Sequence, residues 1–364
     1  MIYFEHGTPT SDLSDDDLRD GLSDALKKLG TRKRVMAVPP DFTRFHSRAG
    51  LLTQQAHAYY GDALTDVLPA LGTHTAMLEP QLQRMFGDIP RDRFRVHDWR
   101  ERVATIGEIS ADEVREISEG CVDYAWPAQL STYITEGQHD LILSIGQVVP
   151  HEVIGMANYT KNLLVGTGGP DGINKSHYLG AAYGMERIMG RARNPVRELI
   201  NRAASRFLKD YPVVYVLTVV GIDENSGTKV RGLFIGDDDD CFYRAAELAQ
   251  QVNVIALDRP VKKAVVYLDP DEFKSTWLGN KSIYRTRLAI ADAGELIVLA
   301  PALQEFGEDP EIDRLIRKYG YMHTDDVKRA VLEQDELRNN LSAAAHLIHG
   351  TTDGRFSVTY CPGH

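Results

Sequence analysis

The sequence predicts an α/β protein of two domains, each a mostly parallel sheet flanked by helices in the Rossmann manner. Three observations carry this. Short apolar runs alternate with amphipathic stripes of helical period. Three of those runs each end in a polar loop. A chain of 364 residues exceeds what one hydrophobic core usually organises.

Asp15 to Leu29 places Leu18, Leu22, Ala25 and Leu29 on one helical stripe behind the candidate caps Ser14 and Asp15. Residues 34–38 read as a short buried strand. Pro39-Pro40-Asp41-Phe42-Thr43-Arg44 must leave it as a loop, because consecutive prolines cannot continue a central ladder. A helix from Ala49 to Tyr60, a strand over 65–71 and the loop Gly72-Thr73-His74 repeat that order. A third strand, 140–145, runs into Gly146-Gln147-Val148-Val149-Pro150-His151.

Gly166, Gly168, Gly169, Gly172, Gly180 and Gly184 crowd the next stretch, a density expected where backbone is held close to a ligand. A helix over 195–208 and a β-branched strand over 213–220 follow. A second cycle then predicts helix 243–252, strand 264–267, helix 283–291, strand 295–300, helix 310–319 and helix 324–347. Asp309 is the expected N-cap of the 310–319 helix, with Pro310 at its first position. The domains are drawn as 1–245, cofactor-binding, and 246–364.

Composition narrows the class. With 43% hydrophobic and 26% charged residues the chain is an ordinary folded protein. Its net charge of -11 argues against a nucleic-acid or anionic-membrane binder. Cys121, Cys241 and Cys361 are too scattered for a disulfide framework or a thiolate zinc site. No secretory pattern and no run of about 20 apolar residues occurs, so the cytoplasm is the expected compartment.

His74, His151 and His177 fall on candidate loops or helix starts, and histidine is the side chain suited to moving protons near neutral pH. Lys161, once desolvated, could serve as a nucleophile or a cofactor anchor. Thr167-Gly168-Gly169-Pro170-Asp171-Gly172 could offer backbone N–H groups to a phosphate, although it matches no nucleotide-binding motif. On the residues alone the same histidines also suit a zinc or iron hydrolase or lyase, and a non-catalytic binding protein stays open.

Pro150-His151-Glu152, a lysine ten residues after that histidine at Lys161, and a histidine sixteen beyond at His177 resemble the signature of the lactate racemase family. Asp41-Phe42-Thr43-Arg44, Gly72-Thr73-His74 and Val96-His97-Asp98-Trp99 are similar to further family segments in the same order. The resemblance implies a 2-hydroxyacid racemase or epimerase with its site in the cleft between domains. It implies a nickel pincer nucleotide, Ni-pyridinium-3,5-bisthiocarboxylic acid mononucleotide, attached covalently to Lys161, with His177 as the nickel ligand. Asp41, Thr43, Gly168 and Gly169 would help to hold that cofactor. His74 and His151 would be the acid/base pair and Arg44 a carboxylate grip. A small 2-hydroxy acid and the cofactor-maturation enzymes are the implied partners.

The stretch Tyr284-Arg285-Thr286-Arg287-Leu288 has arginine and leucine where family members acting on lactate carry glutamine and lysine. Phe45-His46-Ser47-Arg48 replaces a proline-rich continuation after Arg44. With Tyr284, Arg285 and Arg287 as substrate contacts, the expected substrate is larger or more polar than lactate, such as a sugar acid.

Overall fold

The computed structural model describes residues 1–223 and 227–363. They form two compact units, each drawn from separate stretches of the chain. The first holds Met1–Ile117, Asp123–Ile173 and Gly190–Ile255. The second holds Ser118–Val122, Asn174–Met189 and the residues from Ala256 onward. The fold is the expected mixed α/β one, with parallel strands flanked by helices.

The strands of the first unit are β1 (Ile2–Gly7), β2 (Val35–Val38), β3 (Leu64–Val67), β4 (Val103–Ile109), β5 (Trp126–Ser131), β6 (Leu141–Gln147), β7 (Pro150–His151), β8 (Gly155–Met156), β9 (Val213–Asp223) and β10 (Gly227–Gly236). Six of them make one sheet in the order β1-β10-β9-β6-β2-β3. β3, β2, β6 and β9 run parallel, while β10 and β1 close one side antiparallel. β4 pairs with β5 and β7 with β8 in small antiparallel ribbons.

β2 and β6 are buried at every position, the condition of strands covered on both faces. Ser14 caps the helix Asp15–Leu29 in a reciprocal capping box with Asp17. Leu18, Leu22, Ala25 and Leu26 of that helix join Val35, Ala37, Leu64, Leu143 and Val216 in the core. Each such leucine contributes roughly 1.5–3 kcal/mol by leaving water. β3 stops at Val67, short of the expected 71, yet the chain stays beside β2 through the bonds Leu68 N to Ala37 O at 2.9 Å and Ala70 N to Pro39 O at 2.8 Å.

In the second unit β11 (Val261–Tyr267), β12 (Ile290–Ala300) and β13 (Phe356–Pro362) form a parallel sheet in that order. Leu268, Ile283, Ile290, Leu296, Val298 and Phe356 make its core. Asp309 caps the helix Pro310–Tyr319 as expected.

Two expected helices are corrected. The one placed at 283–291 occupies Lys281–Thr286, and by Ile290 the chain is already a strand paired with Val261. The single helix expected over 324–347 is three, Thr324–Glu333, Asp335–Arg338 and Leu341–Gly350. Asn340 makes the last break, its side chain accepting a bond from the Ala343 amide at 3.1 Å and starting a new helix instead of continuing the old. Among the described residues no helix is long and apolar enough to cross a membrane.

A buried charge cluster anchors β3. Asp66 accepts from His139 Nε2 at 2.9 Å and lies 2.8 Å from Arg95 Nε. Burial pushes its carboxyl up, but the bonds from His139 and Thr65 and the charge of Arg95 outweigh this and bring it down to about 2. A carboxyl with a depressed folded value contributes stability that is present above the ordinary value near 4 and is lost as pH falls towards 2. Chemical denaturation between pH 5 and pH 2 is expected to show a steeper acid loss in the wild type than in Asp66→Asn. Equal slopes would remove this role.

Candidate active site

The carboxyl ends of β2, β3 and β6 feed the loops that carry the expected residues. After β2, Asp41 caps the short helix Phe42–Ser47, its Oδ1 accepting from the Thr43 amide at 3.1 Å and the Thr43 hydroxyl at 2.5 Å. Its other oxygen lies 2.6 Å from His74 Nδ1 in the Gly72-Thr73-His74 loop. Burial pushes the Asp41 carboxyl up, and the contacts with His74 and Thr43 outweigh it and hold the group below the usual carboxylate range. An ionised Asp41 accepts a hydrogen bond from Nδ1–H of His74, which leaves Nε2 as a proton acceptor on a side chain 59% exposed. The loop is held in place by Gly72 N donating to Gly166 O at 2.8 Å.

Lys161 sits in the short helix Thr160–Leu164. The next residue, Asn162, donates from one amide nitrogen to Val38 O and Ser144 Oγ, both at 3.0 Å, tying this helix to the end of β2 and to β6. Asn158 and Tyr159, just before it, both have positive φ, 66° and 61°. Their loop approaches β6 so closely that a Cβ on Gly146 would lie 2.2 Å from Asn158 Nδ2. Lys161 keeps some accessible surface yet is densely surrounded by protein. Desolvation, then the charge of Arg44, push its amine down to about 8, against the opposing pull of Glu152 and Asp41. Among the described residues neither the Lys161 amine nor the Arg44 guanidinium has a hydrogen-bond or ion-pair partner. Two cations without a direct partner therefore lie within electrostatic reach of each other.

His151, at the end of β7, accepts from Val153 N at Nδ1, 3.1 Å, and lies 3.7 Å from Glu152 Oε2. The neutral ring then carries its proton on Nε2, the opposite tautomer to His74. Gln147 closes β6, only 7% exposed, and its Oε1 is buried with no hydrogen-bond partner. Its side chain meets His46, whose imidazole is held below its ordinary value by burial and by Arg44.

Asp41, Thr43, Arg44, His74, His151, Lys161, Gly168 and Gly169 all belong to the first unit. The two glycines are packed against protein: a Cβ on Gly169 would meet Gln129 Oε1 at 2.6 Å and one on Gly168 would meet Leu164 O at 2.2 Å. His97 helps fix this turn, bonding Gly168 O at 3.0 Å. His177 lies in the helix Pro170–Tyr183, on the stretch that belongs to the second unit. Tyr284, Arg285 and Arg287 are in that unit too. Tyr284 is buried and Arg285 exposed. Arg287 is buried and already committed, 2.6 Å from Glu186 and donating to Thr351 O at 3.2 Å. Its position is that of an internal strut.

Sequence reasoning passed over Asn162, Gln147 and Arg197, whose polar side chains are buried at this site. Nothing in residue type or period marks a polar residue that will be buried. Among the described residues no three His, Cys, Asp or Glu side chains gather as a metal-holding group. A cavity of about 610 Å³ in the first unit, lined by Tyr159, Thr160, Tyr215 and Asp237, contains none of the expected site residues.

No protein-family model and no curated protein matches the chain. Solved structures do. A crystal structure of a protein from Thermotoga maritima is 26% identical, covering 96% of this chain and 88% of that one with a TM-score of 0.83. The lactate racemase apoprotein from Thermoanaerobacterium thermosaccharolyticum is 16% identical, covering 97% of this chain and 82% of that one with a TM-score of 0.74. The chain has a lactate racemase-like fold.

The Asp41 contact fixes the tautomer of His74, and long-range proton–nitrogen spectra read it. The wild type is expected to carry the ring proton on Nδ1. In Asp41→Asn, whose amide can offer a donor, the proton is expected to move to Nε2. An Nε2-protonated His74 in the wild type would sink this assignment.

Proposed function

We propose that this chain is a racemase or epimerase of 2-hydroxy acids, working on a substrate larger or more polar than lactate and using a nickel pincer nucleotide. The observation that carries the reading is the pair of unpartnered cations, Arg44 and Lys161, within electrostatic reach of Asp41, the partner of His74, and of Glu152, the neighbour of His151. Unpaired positive charge in a densely packed site calls for an anionic ligand. The fold shared with a lactate racemase supports the same reading.

The residues fit the cofactor. An amine must shed its proton before it can be acylated, and one at about 8 does so near physiological pH. Lys161 would then be the attachment point, and His177 would be the nickel ligand, since neutral imidazole suits that metal. When bound, the group supplies a hydride acceptor and donor for C2 of the substrate.

The side chains of the chain do the rest. Arg44 grips the substrate carboxylate with two parallel donors. His74, its Nδ1 proton held by Asp41, takes the proton of the 2-hydroxyl at Nε2, and the Asp41 carboxylate stabilises the imidazolium that results. With the group bound, loss of hydride from C2 and its return to the other face would invert that carbon, while His74 and His151 hold the hydroxyl proton. His151 serves as the proton-transfer group for the opposite enantiomer. The buried acceptor of Gln147 beside His46 supports a substrate with a further hydroxyl group.

Protein made together with the cofactor-maturation enzymes is expected to show a nucleotide-sized mass adduct and bound nickel, both absent from Lys161→Ala. Neither adduct nor nickel in the wild type would overturn the reading. Across a panel of 2-hydroxy acids, sugar acids or diacids are expected to turn over faster than lactate, with lactate as best substrate the contrary result. His74→Ala is expected to lower turnover by roughly 10²–10⁴-fold in the loaded enzyme, the usual worth of a positioned acid/base group.

A further inference from the structure

Arg197 lies in the first turn of the helix Pro195–Phe207 and is 1% exposed. Its guanidinium donates from one nitrogen to Met156 O at 2.5 Å and Asn158 O at 3.2 Å, and from the other to Asn158 O at 3.3 Å and Thr160 Oγ1 at 3.2 Å. It lies 4.3 Å from the ring centroid of Phe242, which stacks on Tyr159 at 5.0 Å. Among the described residues no carboxylate pairs with it. Burial brings the group down to about 10, so it stays charged at neutral pH.

Three features of this position oppose stability. The charge is desolvated, it has no counter-ion, and it stands at the positive end of a helix. An apolar residue would remove all three, so the reason for an arginine must lie in what it touches. Every acceptor belongs to residues 156–160, the loop that ends at Lys161. That loop contains the two consecutive positive-φ residues Asn158 and Tyr159, which persist only where neighbours over-determine them. Thr160 is further held by its hydroxyl bond to Asn201 at 2.7 Å.

The groups that act electrostatically on Lys161 are Arg44 and Arg197, both cationic, and Glu152 and Asp41, both anionic. Arg44 stands in the ligand loop, where an arriving carboxylate or phosphate would neutralise it. Arg197 is sealed away from any ligand, and its charge persists whatever the site contains.

We propose that Arg197 is the positioning residue for Lys161: it clamps the 156–160 turn that presents the amine and sets a permanent, buried positive charge beside that turn. This deepens the reading of Lys161 as the acylated lysine and rests on it. No step at the substrate is assigned to Arg197.

The test uses the chain made without maturation enzymes and the probe N-hydroxysuccinimidyl acetate. The neutral amine forms an N–C bond, N-hydroxysuccinimide leaves with the electron pair of the broken C–O bond, and the amine proton goes to solvent. Peptide mass spectrometry gives the acetylation rate of Lys161 against pH, and deuterium exchange reads the 156–165 backbone. In the wild type the midpoint is expected near pH 8. Arg197→Gln, which keeps donors but not charge, is expected to shift it upward and slow acetylation at pH 7 by roughly 3–10-fold, tenfold corresponding to one pH unit. Arg197→Lys, which keeps the charge but cannot reach all the acceptors, is expected to hold the midpoint and speed exchange over 156–165.

A folded Arg197→Gln with the wild-type midpoint overturns the electrostatic half. Wild-type exchange in Arg197→Lys overturns the clamp, and this second variant stands if the first fails to fold. Failure of the cofactor reading would show separately, as a missing adduct in the co-produced protein.

Discussion

One side-chain amide spans two neighbouring parallel strands: Asn162 bonds both the last carbonyl of β2 and the Ser144 hydroxyl of β6. Parallel strands end in a row, and at the end of each a polar loop must find partners. Asn162 fixes the Lys161 helix to two of those strands at once. Gly72 then hangs the His74 loop on the far end of the same helical stretch. The placement of His74 and Lys161 thus traces to backbone and amide bonds inside the sheet edge, before any ligand is considered.

Much of this edge was legible in the sequence because its signals are local. Apolar runs over 34–38 and 140–145, the Pro39-Pro40 break and the capping residues Ser14 and Asp309 each act within a few residues of themselves. β1 and β10 were not legible, since their pairing joins residues more than 200 positions apart and leaves no local trace in either strand. The run 283–291 was misread because helix and strand meet within it, and a window of that length averages over both.

At the site the motif residues were legible and their supports were not. Gly168 and Gly169 looked like ligand-facing glycines, while the space a Cβ would need is filled by Leu164 and Gln129. Arg287 looked like a substrate contact, and is spent on Glu186 and Thr351. Arg197 gave no signal at all, for an arginine near a helix start ordinarily points to water. Two buried charges show the contrast: Asp66 is met by His139 and Arg95, whereas Arg197 is met only by carbonyls, a hydroxyl and an aromatic face. The first is explained by the fold around it, and the second only by the loop it holds.

The interleaving of the two units also governs how the chain can be made. Ser118–Val122 and Asn174–Met189 leave the ribosome early, yet the body they pack into begins at Ala256. β1 likewise waits for β10, more than 200 residues later. The first unit cannot close until the chain has reached Ile255, and the second not until its last strand is made, so apolar surfaces of both stay exposed through much of translation. Completion then comes as a late, largely post-translational event, and a nascent chain of this topology leans on chaperones more than a bead-on-a-string protein of equal length.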